Sequence, residues 1–219
     1  MFRIRKDASF AGTAIPFGVL DVSYPAREEW DEDGFRSLRD RELAEIMALA
    51  PTYDRKEGFG EDPYFRYFRK FKKTYPVMMQ LESFLQEARR FPEVNPVNEV
   101  AFLAELKTHM LLGTHDIARI EGELVLFRDT QKTTFCGIGD RDVHTYPGDI
   151  SGRDGVDIVL SMIAGADNRT CVSLDTRHTA YFAFGVDGMP EDKVLSALAL
   201  LERYAKALAP TAVIESAIL

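Results

Sequence analysis

The sequence predicts an α+β protein, a mostly antiparallel β-sheet packed with helices. Helical patterns fill the first half, short β-rich runs separated by turn formers follow Gly113, and an amphipathic helix comes last. Residues 14–20 read as a short apolar strand. After Trp30 the chain turns acidic, and Asp31 or Asp33 is placed to cap a helix over residues 35–50. Leu38, Leu43, Ile46, Met47 and Ala50 are expected to form its buried face. Residues 51–62, rich in Gly, Pro and charge, read as a loop. Residues 64–73 hold five cations and five aromatics without an acid, and Phe65, Phe68 and Phe71 recur at helical spacing. Pro76 interrupts the chain, after which Leu81, Phe84, Leu85 and Ala88 repeat as on a helix. A third helix over residues 97–111 is apolar on most sides, so it is expected to be central. The β-rich runs cover residues 124–128, 133–138, 156–163, 170–174 and 179–186. Asp187 and Gly188 close the last of them. Pro190, Glu191 and Asp192 then suit the first turn of a helix striped by Val194, Leu195, Leu198, Leu201 and Leu208 and ended by Pro210.

The chain has 219 residues, 46% of them hydrophobic and 28% charged, enough for one compact domain with an N-terminal extension. Its 27 Lys and Arg against 35 Asp and Glu leave a net charge of −8, the wrong sign for gripping nucleic acid over the whole surface. Any RNA contact is therefore expected from a local patch, and no DNA partner is expected. No stretch approaches the roughly 20 apolar residues that cross a bilayer, so a cytoplasmic location without a membrane partner is expected. Cys136 and Cys171 stand apart without CxxC spacing and read as reduced. His109, His115, His144 and His178 lack metal-site spacing, and there is neither a phosphate-binding G-x-x-x-x-G-K-[ST] loop nor a G-x-S-x-G elbow. Neither a metal nor another cofactor is expected.

Two segments carry a family resemblance: Phe91-Pro92-Glu93-Val94-Asn95-Pro96-Val97-Asn98-Glu99-Val100, and the run from Gly113-Thr114-His115-Asp116 to Leu126-Phe127-Arg128. With Tyr146-Pro147-Gly148-Asp149 and Asp167-Asn168-Arg169-Thr170, they make residues 75–205 resemble the B-three/B-four domain of the phenylalanyl-tRNA synthetase beta subunit and its free-standing members. The resemblance implies an N-terminal extension over residues 1–74 packed on a B-three/B-four-like tRNA-binding and editing domain over residues 75–219. It also implies a pocket between sheet and helix that receives the acylated 3′ end of a tRNA, with hydrolysis of a mischarged aminoacyl-tRNA in trans and no metal.

Such an ester hydrolysis needs a positioned water and donors for the oxyanion, and it can draw on the tRNA's own ribose hydroxyl. His115 and Asp116 are the first candidates for catalysis, since imidazole shuttles protons near neutral pH and the family pocket is bordered by this loop. The other reading of this pair is that Asp116 caps a turn and His115 points to solvent. Asn168, Arg169 and Thr170 are candidates for holding a ligand carboxylate or phosphate, with Arg177 and His178 in a second turn. Plain turns between strands are the alternative for both groups. Arg66, Arg69, Lys70, Lys72 and Lys73 are the candidates for RNA contact, and a merely solvated basic helix face is the alternative. The rival function is a non-catalytic module binding a free amino acid or similar small molecule, or an interaction domain with a filled pocket.

Overall fold

Side-chain caps set most helix starts in the computed structural model, which describes residues 1–87 and 91–219. Helix α1 (Glu32–Met47) starts where Asp31 accepts from the Gly34 N–H at 2.8 Å, and Asp54 caps the short α2 (Arg55–Phe59) inside the predicted loop. Asp62 caps α3 (Pro63–Lys70), whose first residue is proline. Helix α4 (Pro76–Glu87) also begins on proline and buries Leu81, Phe84 and Leu85. The expected Ala88 lies outside the described residues. Asn95 caps α5 (Pro96–Thr108), which is buried on most sides as its composition predicts, and α6 (Glu191–Leu208) follows Pro190 with two acids in its first turn. No helix among the described residues is long and apolar enough to cross a membrane.

The buried face of α1 differs from the expected one. Phe35, Arg39, Glu42 and Ile46 are buried, Met47 is exposed, and Leu38, Leu43 and Ala50 are only partly covered. Ion pairs make this possible, for Arg39 meets Glu99 of α5 at 3.0 Å, and Glu42 meets Lys107 at 2.7 Å and also pairs with Arg203. A buried charge is tolerated when paired, and apolar periodicity cannot register such pairs. Leu195 of α6 is likewise exposed rather than part of the stripe.

The strands are β1 (Ile4–Lys6), β2 (Phe17–Ser23), β3 (Leu112–Asp116), β4 (Leu124–Arg128), β5 (Thr134–Gly137), β6 (Arg141–His144), β7 (Ile150–Arg153), β8 (Ile158–Ser161), β9 (Gly165–Ala166), β10 (His178–Phe184) and β11 (Val213–Ile218). They divide between a five-stranded sheet in the order β1-β4-β7-β8-β9, a four-stranded sheet in the order β11-β2-β10-β3, and the hairpin β5-β6. Every pairing is antiparallel except β1 with β4. No expected run covered β1, β3, β6, β7 or β9, and two further expectations fail. Residues 170–174 form no strand, and β11 follows the helix that was expected to end the fold.

Helices α5 and α6 cover one face of the four-stranded sheet. A Cβ at Gly18 of β2 would stand 2.6 Å from Val194 Cγ1, so glycine there admits α6 to close approach. Tyr181 of β10 points to the same side and donates to the Val97 carbonyl of α5 at 2.9 Å. The opposite face presents Phe17, Phe182, Phe184 and His115, with Phe17 and Phe182 5.4 Å apart by ring centroid. Asn95 ties this layer to the later loops, because its Oδ1 accepts from Val97 N at 3.0 Å and its Nδ2 donates to the Ser173 carbonyl at 2.9 Å. Asn95→Ala removes both bonds and is expected to lower stability by about 1–2 kcal/mol in a urea unfolding experiment.

Candidate functional site

The edges of the two sheets meet around a cavity of about 230 Å³. Gly113 and His115 of β3 form one wall, Leu160 and Ser161 of β8 and Gly165 at β9 form another, and Ile138 stands at the tip of the β5-β6 hairpin. Asn98, exposed on the first turn of α5, completes the rim. Gly113 and His115 share a face because strand side chains alternate. A Cβ at Gly113 would lie 3.0 Å from the Phe184 ring and 3.8 Å from His115 Nε2. Glycine leaves that flank of the imidazole open.

His115 is the only titratable side chain lining this cavity among the described residues, and it is 1% exposed. Burial lowers its imidazole to about 3, so the ring is neutral at pH 7. Its Nδ1 lies 2.7 Å from Thr170 Oγ1, and Thr170 in turn donates to Asp167. Asp167 is buried with its acid pushed up by desolvation, an effect that the Thr170 bonds and the nearby Arg169 oppose. On the opposite wall, Ser161 Oγ lies 2.5 Å from Asp149 Oδ2. Asp149 is fully buried, accepts from the Tyr67 hydroxyl at 2.6 Å, and has its acid pushed up to about 6 by burial, which these bonds offset in part. Tyr67 thereby links α3 to the cavity wall. A proton shuttle at His115 was expected from an imidazole of ordinary basicity, whereas a neutral buried ring serves instead as a fixed hydrogen-bonding group.

A larger groove of about 550 Å³ lies along Arg128, Asp129, Arg153 and Asp157. Carboxylates and guanidiniums mix there, and Arg128 already pairs with Asp187 at 3.1 Å. The smaller cavity is the better candidate because apolar walls surround a buried polar group, the usual composition of a ligand site. No group of three or more His, Cys, Asp or Glu among the described residues is placed to hold a metal ion.

No family model matches the sequence, and no curated protein does. The fold resembles a synthetase fragment. One similar solved structure is an N-terminal fragment of the phenylalanyl-tRNA synthetase beta subunit from Pyrococcus horikoshii, with a TM-score of 0.51 and 12% identity. The match covers 97% of this chain and 50% of the fragment, so this chain spans half the length of the synthetase fragment. At that identity the likeness is one of fold.

The remaining candidates scatter around the synthetase-like fold. Asp116 follows His115 in β3 and therefore faces away from the cavity, where it caps the turn at Ala118 and accepts from Thr176 Oγ1 at 2.7 Å. Asn168 is committed to the hairpin, its Oδ1 accepting from Gly139 N at 3.0 Å and its Nδ2 donating to Asp140 at 2.7 Å. Arg169 binds Asp154 at 2.7 Å and the Arg119 carbonyl. Of this group only Thr170 joins His115. Arg177 lies over the Trp30 ring at 5.2 Å, and His178 Nε2 meets Asp21 at 2.7 Å, so both are engaged away from the cavity. On α3 and just beyond, Tyr64, Tyr67 and Phe68 are buried while Arg66, Arg69, Lys70, Lys72 and Lys73 are exposed as a basic face.

Sequence reasoning missed Gly113, Ile138, Ser161 and Asp149 as site residues. The Tyr146-Pro147-Gly148-Asp149 motif held one usable signal, because an acid that follows a Pro-Gly turn and leads into Ile150 stands where the chain turns back into the fold. Ile138 carried none, since an apolar residue at a hairpin tip looks the same whether or not a cavity lies beneath it.

Proposed function

We propose that this chain binds the aminoacylated 3′ end of a tRNA, with the amino-acid moiety in the cavity between β3 and β8, and removes a wrongly attached amino acid in trans. One observation carries the reading: a fold similar to a phenylalanyl-tRNA synthetase beta fragment has, where its sheets meet, an apolar cavity of amino-acid size around a buried neutral imidazole. Hydrolysis of an aminoacyl ester by a positioned water, with help from the ribose hydroxyl, requires no charged base from the protein. The exposed cations Arg66, Arg69, Lys70, Lys72 and Lys73 are proposed to meet the tRNA backbone, and Tyr67 ties their helix to the cavity through Asp149. Residues 1–74 are proposed as an N-terminal extension packed into one unit with the B-three/B-four-like domain of residues 75–219, whose four-stranded sheet it completes with β2, and the cytoplasm is proposed as the site of action.

The second reading, non-catalytic binding of an amino acid, is favoured by the same imidazole. With its acid near 3, His115 is a weak base at pH 7, and no other titratable side chain among the described residues lines the cavity. A deacylation time course over a panel of correctly and wrongly charged tRNAs separates the two. The expected result is selective loss of one mischarged species at a rate at least tenfold above a buffer blank. Decay equal to the blank for every species rules out the hydrolase, and calorimetry on the same panel then tests binding alone.

A further inference from the structure

The hydrogen bonds behind the cavity walls determine what its polar groups can recognise. Arg169 Nε stands 3.9 Å from Asp167 Oδ2, which favours the charged, acceptor-only carboxylate. Thr170 therefore gives its hydroxyl proton to Asp167 Oδ1, a bond supported by the Thr170 N–H donating to the same oxygen at 3.1 Å. With that proton committed, Thr170 Oγ1 can only accept from His115 Nδ1, 2.7 Å away. The proton of the neutral imidazole is thus on Nδ1. Nε2 is left as a bare lone pair with no partner among the described residues, on the flank that Gly113 leaves open. The opposite wall follows the same pattern, since Ser161 Oγ accepts from Ala164 N at 2.9 Å and gives its own proton to Asp149. Nε2 opens on the cavity, and a ligand that fills the space without offering a donor leaves it buried and unpaired at a cost of about 1–3 kcal/mol, so a ligand supplying the donor gains that amount of discrimination.

We infer that the cavity selects its ligand by a hydrogen-bond donor presented to His115 Nε2, and that Asp167 and Thr170 are positioning residues that hold this nitrogen as an acceptor. This inference rests on the aminoacyl-end reading and narrows its substrate class to amino-acid moieties that offer a donor inside the cavity. Two groups carry that chemistry, the free α-amine and a side-chain hydroxyl. A ligand offering only acceptors there meets a lone pair and is rejected.

The first measurement is long-range nitrogen–proton NMR of the His115 imidazole in the unmodified full chain. Between pH 6 and pH 8 we expect Nδ1 in the protonated range and Nε2 in the unprotonated range. A proton on Nε2 overturns the inference. The second is calorimetry with stable amide-linked 3′-acylamino-adenosines in matched pairs: serine with alanine, threonine with valine and tyrosine with phenylalanine, each with the α-amine present or replaced by hydrogen. At least tenfold weaker binding on replacement of the amine by hydrogen identifies the amine as the donor. At least tenfold weaker binding on loss of the hydroxyl identifies the side chain. Measurable binding that ignores both changes overturns this inference and leaves the aminoacyl-end reading standing. Binding of none of the compounds overturns both.

Discussion

Replacing Phe182 with alanine is expected to lower the stability of this chain by about 3–5 kcal/mol, the largest loss anticipated from a single side chain here. Phe182 is fully buried in β10, the strand held between β2 and β3. Its ring centroid lies 5.4 Å from that of Phe17, 6.1 Å from Phe2, 6.3 Å from Phe184 and 5.3 Å from the His115 imidazole. These neighbours come from β2, β3, β10 itself and the segment before β1, so none can move to fill the space without disturbing the backbone that carries it. Urea denaturation compared with the unmodified chain gives the number, and a loss below about 1 kcal/mol would mean that the aromatic layer relaxes around the cavity. The same variant removes the surface on which His115 rests. It should therefore weaken ligand binding even under conditions where the fold persists.

The second large effect is expected with pH. Glu105 of α5 is buried, and its one polar contact among the described residues is the Leu112 N–H, which its Oε1 accepts at 2.9 Å. Burial raises its acid from an ordinary 4.5 to about 8, with the Leu112 bond opposing in part. The folded state therefore holds a proton that the unfolded chain releases near 4.5. Stability from this group is fully present below that value, declines as pH rises, and is gone above about 8. At ~1.4 kcal/mol for each tenfold change in proton concentration, and allowing for relaxation around a buried charge, the loss across this window is about 2–4 kcal/mol. Glu105→Gln imitates the protonated form and keeps an acceptor for Leu112. Unfolding free energies measured from pH 5 to pH 9 should fall more steeply for the unmodified chain than for the variant, which keeps only the contributions of groups such as His115 and Asp149. Parallel curves would show that Glu105 finds a charge-stabilising partner when it ionises.

The helices were the most legible part of the chain, for reasons that can be read at particular residues. Asp31, Asp62 and Asn95 cap from side chains only two or three residues away, and Pro63, Pro76 and Pro96 open their helices in the first turn. Strands β4 and β10 were legible because each is an unbroken apolar or β-branched run. Residues 170–174 have the same character, yet they form no strand. The N–H of Thr170 goes to Asp167 Oδ1 at 3.1 Å and its carbonyl accepts from Asp116 N at 2.8 Å, so its backbone serves the cavity wall instead of a ladder. Strand β11 was missed because its residues are mostly exposed or half-buried, and only its pairing with β2 makes it a strand.

Among the site residues, His115 was legible as a chemical type and its behaviour was not. An isolated histidine in a sequence carries its ordinary basicity, and only enclosure by Phe182, Phe184 and the second sheet turns it into a neutral acceptor. The sequence by itself determined the α+β class, the helix starts apart from that of α2, the acidic balance and the basic face of α3, since each depends on residues within a few positions of one another. The tertiary structure alone decided that His115 meets Thr170 across 55 residues, that Tyr67 meets Asp149 across 82, and that Asp116 faces away from its neighbour's cavity. Partners so far apart are brought together by sheet pairing and core packing, and a buried hydrogen bond takes its direction from whichever group the fold sets beside it.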